Sequence, residues 1–202
     1  MEKISLPSPA PLSVSLEEAL AHRASFTQAY NDRPWSRREL GTLLGHALKV
    51  HPKSHRPYPS GGALYPVEIY FVGDILEDHV PSVFHYHPTL HVLEKMWELR
   101  KDFHMSQIFR TPATPLTSAA LVFTAVWDRS ADKYGDWAYH LAFLEAGHIA
   151  QNILLTATAM RAEARPVGGF HDDTVSEILD IDTSEQPVYS ILLSPPPDHA
   201  DA

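Results

Sequence analysis

The chain has 202 residues, of which 44% are hydrophobic and 20% charged. This length and balance are typical of one globular domain rather than of a disordered chain. The sequence contains no cysteine, which excludes disulfides, thiolate nucleophiles and cysteine metal sites. The net charge is −9 without any basic block. A nucleic-acid partner is therefore not expected, because its phosphates require a positive surface.

The first elements are predicted from two capping boxes, Ser15 with Glu18 and Ser36 with Glu39, each of which starts a helix. We predict a Pro-rich arm at residues 1–14, one domain at residues 15–194 and a disordered tail at residues 195–202. The patterns further along the chain predict strands at 67–72, 83–87, 91–94 and 119–127, and a helix at 95–109.

A long helix is predicted from about residue 131 to 160, because this stretch lacks proline and is apolar on nearly every face. A monomer of this size has little room to surround such a helix. We therefore predict that it lies in a homodimer interface, with Ile153 as an example of an interface position. A loop at 166–170, a helix at 174–179 capped by Asp172 or Asp173, and a strand at 187–193 complete the prediction.

The same apolar stretch is not a membrane span, since it contains Glu145 and Asn152 among other polar residues. Each such group would cost several kcal/mol in lipid. The first residues lack the apolar core of a signal peptide. The sequence therefore predicts no membrane association and a cytoplasmic location.

Two glycine pairs are candidate ligand loops. Gly61 and Gly62 stand between prolines ahead of a strand, where positive φ angles and exposed amides suit a flat or anionic ligand. Gly168 and Gly169 form a second pair. The first pair is equally explained as a structural turn, and for the second pair, taken alone, a structural turn is the favoured interpretation.

A third candidate is the adjacent pair Lys133 and Tyr134, predicted to lie at the start of the long helix. The positive end of the helix dipole favours an uncharged lysine and a phenolate there. Either group could then exchange protons with a substrate. The alternative is a solvated surface pair, with Lys133 in a salt bridge to Asp132 or Asp136.

Other kinds of site are disfavoured. His85 and His87 share one face of a predicted strand, but no carboxylate at metal-binding spacing accompanies them, and no metal is predicted. The nucleophile elbow Gly-x-Ser-x-Gly, the P-loop and the Rossmann Gly-x-Gly-x-x-Gly motif are absent. Serine-hydrolase, ATP and Rossmann-type dinucleotide sites are therefore not expected.

Five segments in order resemble the nitroreductase-like flavoproteins and, within them, the SagB-type dehydrogenases. They are PSGGALYPVEIYFV (59–72), FHYHPTLHVLEK (84–95), DKYG (132–135), LEAGHIAQNILLTATAM (144–160) and RPVGGF (165–170). The resemblance implies an α+β fold, with a central mixed or antiparallel sheet flanked by helices. It also implies a homodimer with two FMN sites between the subunits, which oxidises thiazoline or oxazoline rings to thiazoles or oxazoles in peptides.

The resemblance also implies roles for individual residues. Lys133 and Tyr134 would remove a proton while a hydride passes to the flavin. The segment HRASFTQ (22–28) matches the family's basic phosphate-binding motif. Because only one residue of this segment is plainly basic, Arg161 and Arg165 are replacement candidates. The implied FMN-binding residues are Arg23, Ser25, Gln28, Pro59, Ser60, Gly61, Gly62, Leu64, Gly168 and Gly169.

Three functions remain open at this stage. The first is an azoline dehydrogenase, with a cyclodehydratase complex as a candidate partner, which the Lys-Tyr pair favours. The second is an NAD(P)H-dependent reductase of nitroaromatics or quinones, since one fold serves several activities. The third is a flavin-free, non-catalytic subunit of a biosynthetic complex, which the sparse phosphate motif favours.

Overall fold

The computed structural model describes residues 2–27, 33–51, 55–77, 80–114 and 117–197. Its strands are β1 (Glu2–Ser5), β2 (Val67–Gly73), β3 (Ser82–His87), β4 (Val92–Glu98), β5 (Ala119–Val126), β6 (Glu163–Val167) and β7 (Glu185–Ser194). Its α-helices are α1 (Leu16–His22), α2 (Arg37–Ala47), α3 (Asp128–Tyr134), α4 (Trp137–Ala159) and α5 (Asp172–Leu179).

The described strands form one antiparallel sheet in the order β1-β4-β3-β2-β5-β7-β6. Because successive side chains of a strand point to opposite faces, β2 separates two core layers. Ile69 and Phe71 pack in the layer that contains α2 and α4, whereas Tyr70 and Val72 pack in the layer that contains α5. The predicted α+β fold with a central antiparallel sheet is confirmed.

The two predicted capping residues begin their helices. At α2 the box is complete: Glu39 N donates to Ser36 Oγ at 3.2 Å, and Ser36 N donates to Glu39 Oε2 at 2.9 Å. At α1 the Ser15 hydroxyl accepts from Glu18 N at 3.1 Å. The arm that precedes α1 takes part in the fold, because β1 adds a strand beside β4.

The predicted helix at residues 95–109 is wrong. β4 continues to Glu98, and the following residues contain a 3₁₀ turn at Met105–Gln107 instead of an α-helix. The sequence LEKMWEL (93–99) favours a helix locally, but Lys95 pairs with Phe84 of β3 and keeps it extended. Tertiary pairing of this kind overrides helix propensity, which is a weak preference.

The prediction of a loop at 166–170 with aspartate caps is also partly wrong. β6 extends to Val167, and it accepts Pro166 because it lies at the edge of the sheet, where a missing N–H costs no ladder bond. Asp172 and Asp173 are the first two residues of α5, and the N-cap, His171, makes no side-chain cap hydrogen bond.

The predicted long helix is interrupted. α3 ends at Tyr134, Gly135 follows with a φ of 51°, and α4 starts at Trp137. A residue with a positive φ ends a helix, and glycine adopts this conformation without a steric penalty. Ile153 is fully buried in the core of its own subunit, so the prediction that it is an interface position is wrong.

α4 nevertheless has an uncovered apolar face. The large hydrophobic residues Trp137 (68%), Tyr139 (55%), Phe143 (39%) and Leu144 (59%) are exposed near its start. Gly147, His148 and Gln151 continue the exposed face along the helix. Despite its apolar character, neither α4 nor any other described helix is suited to cross a membrane.

Candidate cofactor and catalytic site

The segment that precedes β2 forms a strained turn at the surface. Gly62, Ala63 and Tyr65 have φ angles of 62°, 57° and 50°. Glycine adopts this left-handed region freely, whereas other residues are strained by about 1–3 kcal/mol, and such strain persists where the surroundings enforce it. Pro59, Gly62 and Ala63 are exposed, and Leu64 is half-buried. The turn therefore presents mainly backbone to a ligand.

Hydrogen bonds and packing hold this turn in place. Tyr65 N donates to Ser60 Oγ at 2.9 Å, and the Arg129 guanidinium donates to the Tyr65 carbonyl at 3.1 Å. Gly61 lies against α4, since a Cβ at this position would stand 2.9 Å from Leu141 Cδ1. The Ser60 hydroxyl, which the sequence assigned to the cofactor, is thus engaged within the turn.

Arg129 belongs to a chain of ion pairs across the sheet. It pairs with Glu68 of β2, whose Oε2 lies 2.7 Å from His85 Nε2 on β3. Burial opposes ionisation of both partners, but the pairing outweighs burial: the pKa of Glu68 lies below its usual value and the pKa of His85 above it. No group of three metal-ligating side chains occurs in the part of the chain that the structure describes.

Lys133 and Tyr134 meet the turn at Gly62. A Cβ on Gly62 would stand 2.6 Å from Tyr134 Oη and 2.8 Å from Lys133 Nζ, so both polar ends lie against this glycine. Lys133 Nζ is 5.2 Å from the centroid of the Tyr134 ring. Lys133 is exposed and Tyr134 half-buried. Two segments that are 71 residues apart in the chain, counted from Gly62 to Lys133, therefore form one surface that carries an amine and a phenol.

The position of this pair differs from the prediction. Lys133 and Tyr134 are the last two residues of α3 rather than the first of the long helix. The pair therefore lies at the negative end of the short α3 dipole, whereas the sequence predicted the positive end of a long helix. The alternative of a salt bridge is not supported either, because Lys133 forms none with the described residues, Asp132 and Asp136 included.

Glu145 of α4 is a buried carboxyl behind the turn that sequence reasoning did not assign to the site. Its Oε1 accepts from Val67 N at 3.4 Å, and its carboxyl also interacts with the Ser60 hydroxyl. Burial raises the pKa of Glu145 to about 7, although Ser60 and Val67 act in the opposite direction. An acidic residue in an otherwise apolar helix is the sequence signal that could have marked it.

A cavity of about 460 Å³ lies at the other end of α4 and corresponds to the predicted phosphate site. Its polar lining consists of His22, Ser25, Thr27, Thr158, Arg161 and Glu163. Ser25 lines this cavity, whereas Arg23 is the C-cap of α1 and does not line it. Gln28 lies outside the described residues. Arg161 lines the cavity, whereas Arg165 does not and donates to the Phe26 carbonyl at 2.6 Å.

Gly168 and Gly169 follow β6 and are both exposed. A Cβ on Gly169 would meet nothing within 4 Å, and one on Gly168 would approach Tyr189 to 3.9 Å. The backbone is therefore open to a flat ligand at this position, and the glycines are not required by internal packing.

The turn and the cavity are far apart within one chain. Gly61 packs on Leu141, and the cavity includes Thr158, seventeen residues later on α4. At a rise of about 1.5 Å per residue this separation is about 25 Å, which exceeds the length of FMN. No single flavin can contact both places in the same subunit.

Comparison with known proteins identifies the class and then the family. The model of the nitroreductase family matches residues 20–193, which makes the protein an oxidoreductase of this class. A protein of Methanocaldococcus jannaschii that is named as a nitroreductase is 30% identical over 185 residues, or 90% of each chain. The chain belongs to the nitroreductase family, whose members generally use flavin cofactors.

Two further similarities are to a microcin-processing protein and to a chain of a microcin synthetase complex. The microcin B17-processing protein McbC of Escherichia coli is 29% identical over 133 residues, which are 63% of this chain and 49% of McbC. A chain of the E. coli microcin synthetase McbBCD complex, solved with truncated pro-MccB17, has a TM-score of 0.74 at 22% identity. That comparison covers 94% of this chain and 75% of the other.

Proposed function

We propose that the protein is an FMN-dependent dehydrogenase that oxidises thiazoline or oxazoline rings in a peptide to thiazoles or oxazoles. The observation that carries this proposal is the contact of Lys133 Nζ and Tyr134 Oη with Gly62, which brings proton-transfer groups to the turn proposed to bind flavin. Similarity to a microcin-processing protein supports a peptide substrate.

The residues present fit FMN. The turn at Gly62 and the open backbone at Gly168 and Gly169 can lie against a flat ring, because the backbone is exposed at these three glycines. The cavity beside Arg161 and Ser25 combines one cation with hydroxyl groups, the donors that a phosphate requires. When bound, FMN would supply the acceptor for a hydride from the substrate ring.

A homodimer accounts for the separation of these parts. If a second subunit packs antiparallel along the exposed face of α4, the turn at the start of one helix comes beside the cavity at the end of the other. Gly147 lies midway along this face with nothing near its Cβ position, so two helices can approach closely there. We therefore propose two sites per dimer, with the turn from one protomer and the phosphate cavity and Gly168–Gly169 loop from its partner.

In this arrangement the chain's own residues perform the proton transfer. Lys133 Nζ as the free amine, or Tyr134 Oη as the phenolate, takes the proton that the azoline ring loses as the hydride leaves it. The other group of the pair orients the substrate by a hydrogen bond. The exposed aromatic residues Trp137 and Tyr139 beside the pair would exclude water once the partner subunit covers them.

A second candidate is an NAD(P)H-dependent reductase of nitroaromatics or quinones. It is favoured by the M. jannaschii relative, which is named as a nitroreductase and has 30% identity over 90% of its length. The third candidate, a flavin-free subunit, is favoured by the cavity itself, where Arg161 stands beside Glu163. A larger biosynthetic complex is a proposal supported by the likeness to McbBCD.

Reconstitution with FMN, followed by anaerobic assays, separates these candidates. The purified protein should be yellow, release FMN identified by mass, and lose flavin absorbance when mixed with a thiazoline-containing peptide. Rapid NADH-driven reduction of nitrofurazone without azoline oxidation would favour the second candidate. A colourless protein that does not quench the fluorescence of added FMN would rule out both flavin-dependent functions.

Replacing Arg161 with alanine should weaken FMN binding by roughly 10–100-fold, because a charged hydrogen bond to phosphate contributes about 1.5–3 kcal/mol. Riboflavin, which lacks the phosphate, should bind wild type and variant equally well. Fluorescence titration with both ligands measures the difference. Arg100→Ala, at a side chain that is 86% exposed and paired with Asp102, is the control. An equal loss for FMN and riboflavin would contradict the assignment of a phosphate site.

A further inference from the structure

Glu145 connects both ends of the strained turn. It lies one helical turn beyond Leu141, the residue that packs against Gly61. At one end of the turn, the carboxyl interacts with Ser60, whose Oγ also accepts from Tyr65 N at 2.9 Å. At the other end, it accepts from Val67 N at 3.4 Å. The three left-handed residues of the turn lie between these two anchor points.

Strain of this kind needs such anchors. Ala63 and Tyr65 would relax toward ordinary φ values if their surroundings allowed it, since each carries a Cβ in the left-handed region. The same turn places Gly62 against Lys133 and Tyr134. A group that holds the turn therefore also holds the distance between the proposed flavin-binding backbone and the proton-transfer pair.

We propose that Glu145 is a positioning residue whose neutral acid form anchors the turn between Ser60 and Val67. Ionisation does not weaken the hydrogen bonds to Ser60 and Val67, but it leaves a buried carboxylate that water would solvate better. Opening of the turn therefore becomes more favourable, and the site weakens without any change in Lys133 or Tyr134. The effect on flavin rests on the proposed function, whereas the effect on the turn does not.

The neutral form is favoured by the surroundings of the carboxyl. Glu145 is 1% exposed, and its Oε2 makes no hydrogen bond of standard geometry within the described part of the chain. A buried carboxylate with an oxygen that lacks a hydrogen bond costs free energy, which is why burial raises the pKa of Glu145 to about 7. Because this pKa lies above the unfolded value, the contribution to stability is full below about pH 4.5 and is lost as the pH rises through 7.

Three charged or titratable groups face this carboxyl: Arg56 and Tyr58, which precede the turn, and Arg129 on α3. Glu68 of β2 belongs to the same cluster, since it pairs with Arg129. The arginines stay charged, burial raises the pKa of Tyr58 to about 12, and the pKa of Glu68 lies below its usual value. Glu145 is therefore the member of this cluster that changes charge between pH 6 and pH 8.

Amide hydrogen exchange of the flavin-free protein tests the anchor directly. Between pH 6 and pH 8, and after correction for intrinsic exchange, protection of the Tyr65 and Val67 amides should fall about tenfold in the wild type, as the neutral fraction falls. The uncharged variant Glu145→Gln should lose this pH dependence, and Glu145→Ala should lose protection at both pH values. Thr156→Ala, a buried polar position further along α4, should behave as the wild type.

Flavin affinity provides the second measurement. The Kd for FMN should rise about tenfold more from pH 6 to pH 8 in the wild type than in Glu145→Gln, since titration of the FMN phosphate and of His85 is common to both proteins. Equal pH dependence of exchange in the two proteins overturns the role of Glu145. If amide exchange behaves as expected but the wild type does not bind FMN, the proposed function is overturned instead.

If Glu145→Gln does not fold, the infrared difference spectrum of the wild type decides. If a carboxylic-acid C=O band is lost between pH 6 and pH 8, the proposal is supported. If no such band is lost over this range, the proposal is overturned.

Discussion

Lys133→Ala and Tyr134→Phe should each slow substrate-driven flavin reduction by roughly 10²–10⁴-fold, the usual effect of losing a positioned acid or base. FMN content and melting temperature should change little. Lys133 is exposed and forms no salt bridge with the described residues, and removal of Tyr134 Oη keeps the ring. Anaerobic stopped-flow measurement of flavin bleaching with a competent azoline peptide gives the rates.

The variant Lys133→Arg distinguishes a base from a simple cation. Arginine keeps the charge near Gly62 but stays protonated at every accessible pH, so it should be as slow as Lys133→Ala. Lys101→Ala, at an exposed lysine outside the site, is the control and should be fully active. Full activity in both Lys133→Ala and Tyr134→Phe would remove the pair from the mechanism.

Leu144→Glu should abolish the proposed dimer and, with it, flavin binding. In a two-fold interface the substitution buries two unpaired carboxylates, at a cost of about 3–5 kcal/mol, which weakens association by roughly 10²–10⁴-fold. The subunit itself should remain folded, because Leu144 is 59% exposed in the single chain. Sedimentation velocity and FMN titration on the same sample measure both effects.

A matched leucine provides the control for this experiment. Leu90 is 57% exposed in the turn between β3 and β4, away from α4, and Leu90→Glu should leave the dimer and its flavin unchanged. A flavin-loaded monomer of the wild type would contradict the composite site. In contrast, a charge at Ile153 should unfold the chain, since this side chain is fully buried within the subunit.

The dimer and the proton-transfer pair are linked by the geometry of α4. Its first turns carry exposed aromatic residues beside Lys133, and its last turns approach Arg161, about 25 Å away at the helical rise. If Leu144→Glu yields a folded monomer without flavin, while Lys133→Ala yields a dimer with flavin but no turnover, binding and chemistry are separated experimentally. If instead Lys133→Ala loses flavin, and Leu144→Glu keeps the dimer and flavin but not turnover, the proposed roles of the Lys133 surface and the exposed face of α4 are reversed.

Local features of the sequence determined much of the secondary structure and several candidate site residues of this protein. The caps at Ser15 and Ser36, the β-rich strand β2, the hairpin strand β3 and the apolar strand β5 were predicted, because caps, turns and strand composition depend only on neighbours in the chain. The glycine pair at Gly61 and the Lys133–Tyr134 pair stood out for the same reason. With their order along the chain, these segments carried the resemblance to the nitroreductase-like flavoproteins, and that resemblance implied the fold class.

The tertiary structure decided what depends on residues distant in sequence. Residues 95–98 became a strand because β3 pairs with them, and Lys133 and Tyr134 reached Gly62 because α3 folds back over the turn. The sequence likewise showed Glu145 only as a polar residue within an apolar stretch. Its raised pKa arises from desolvation between α4 and the turn, which exists only once the chain has packed.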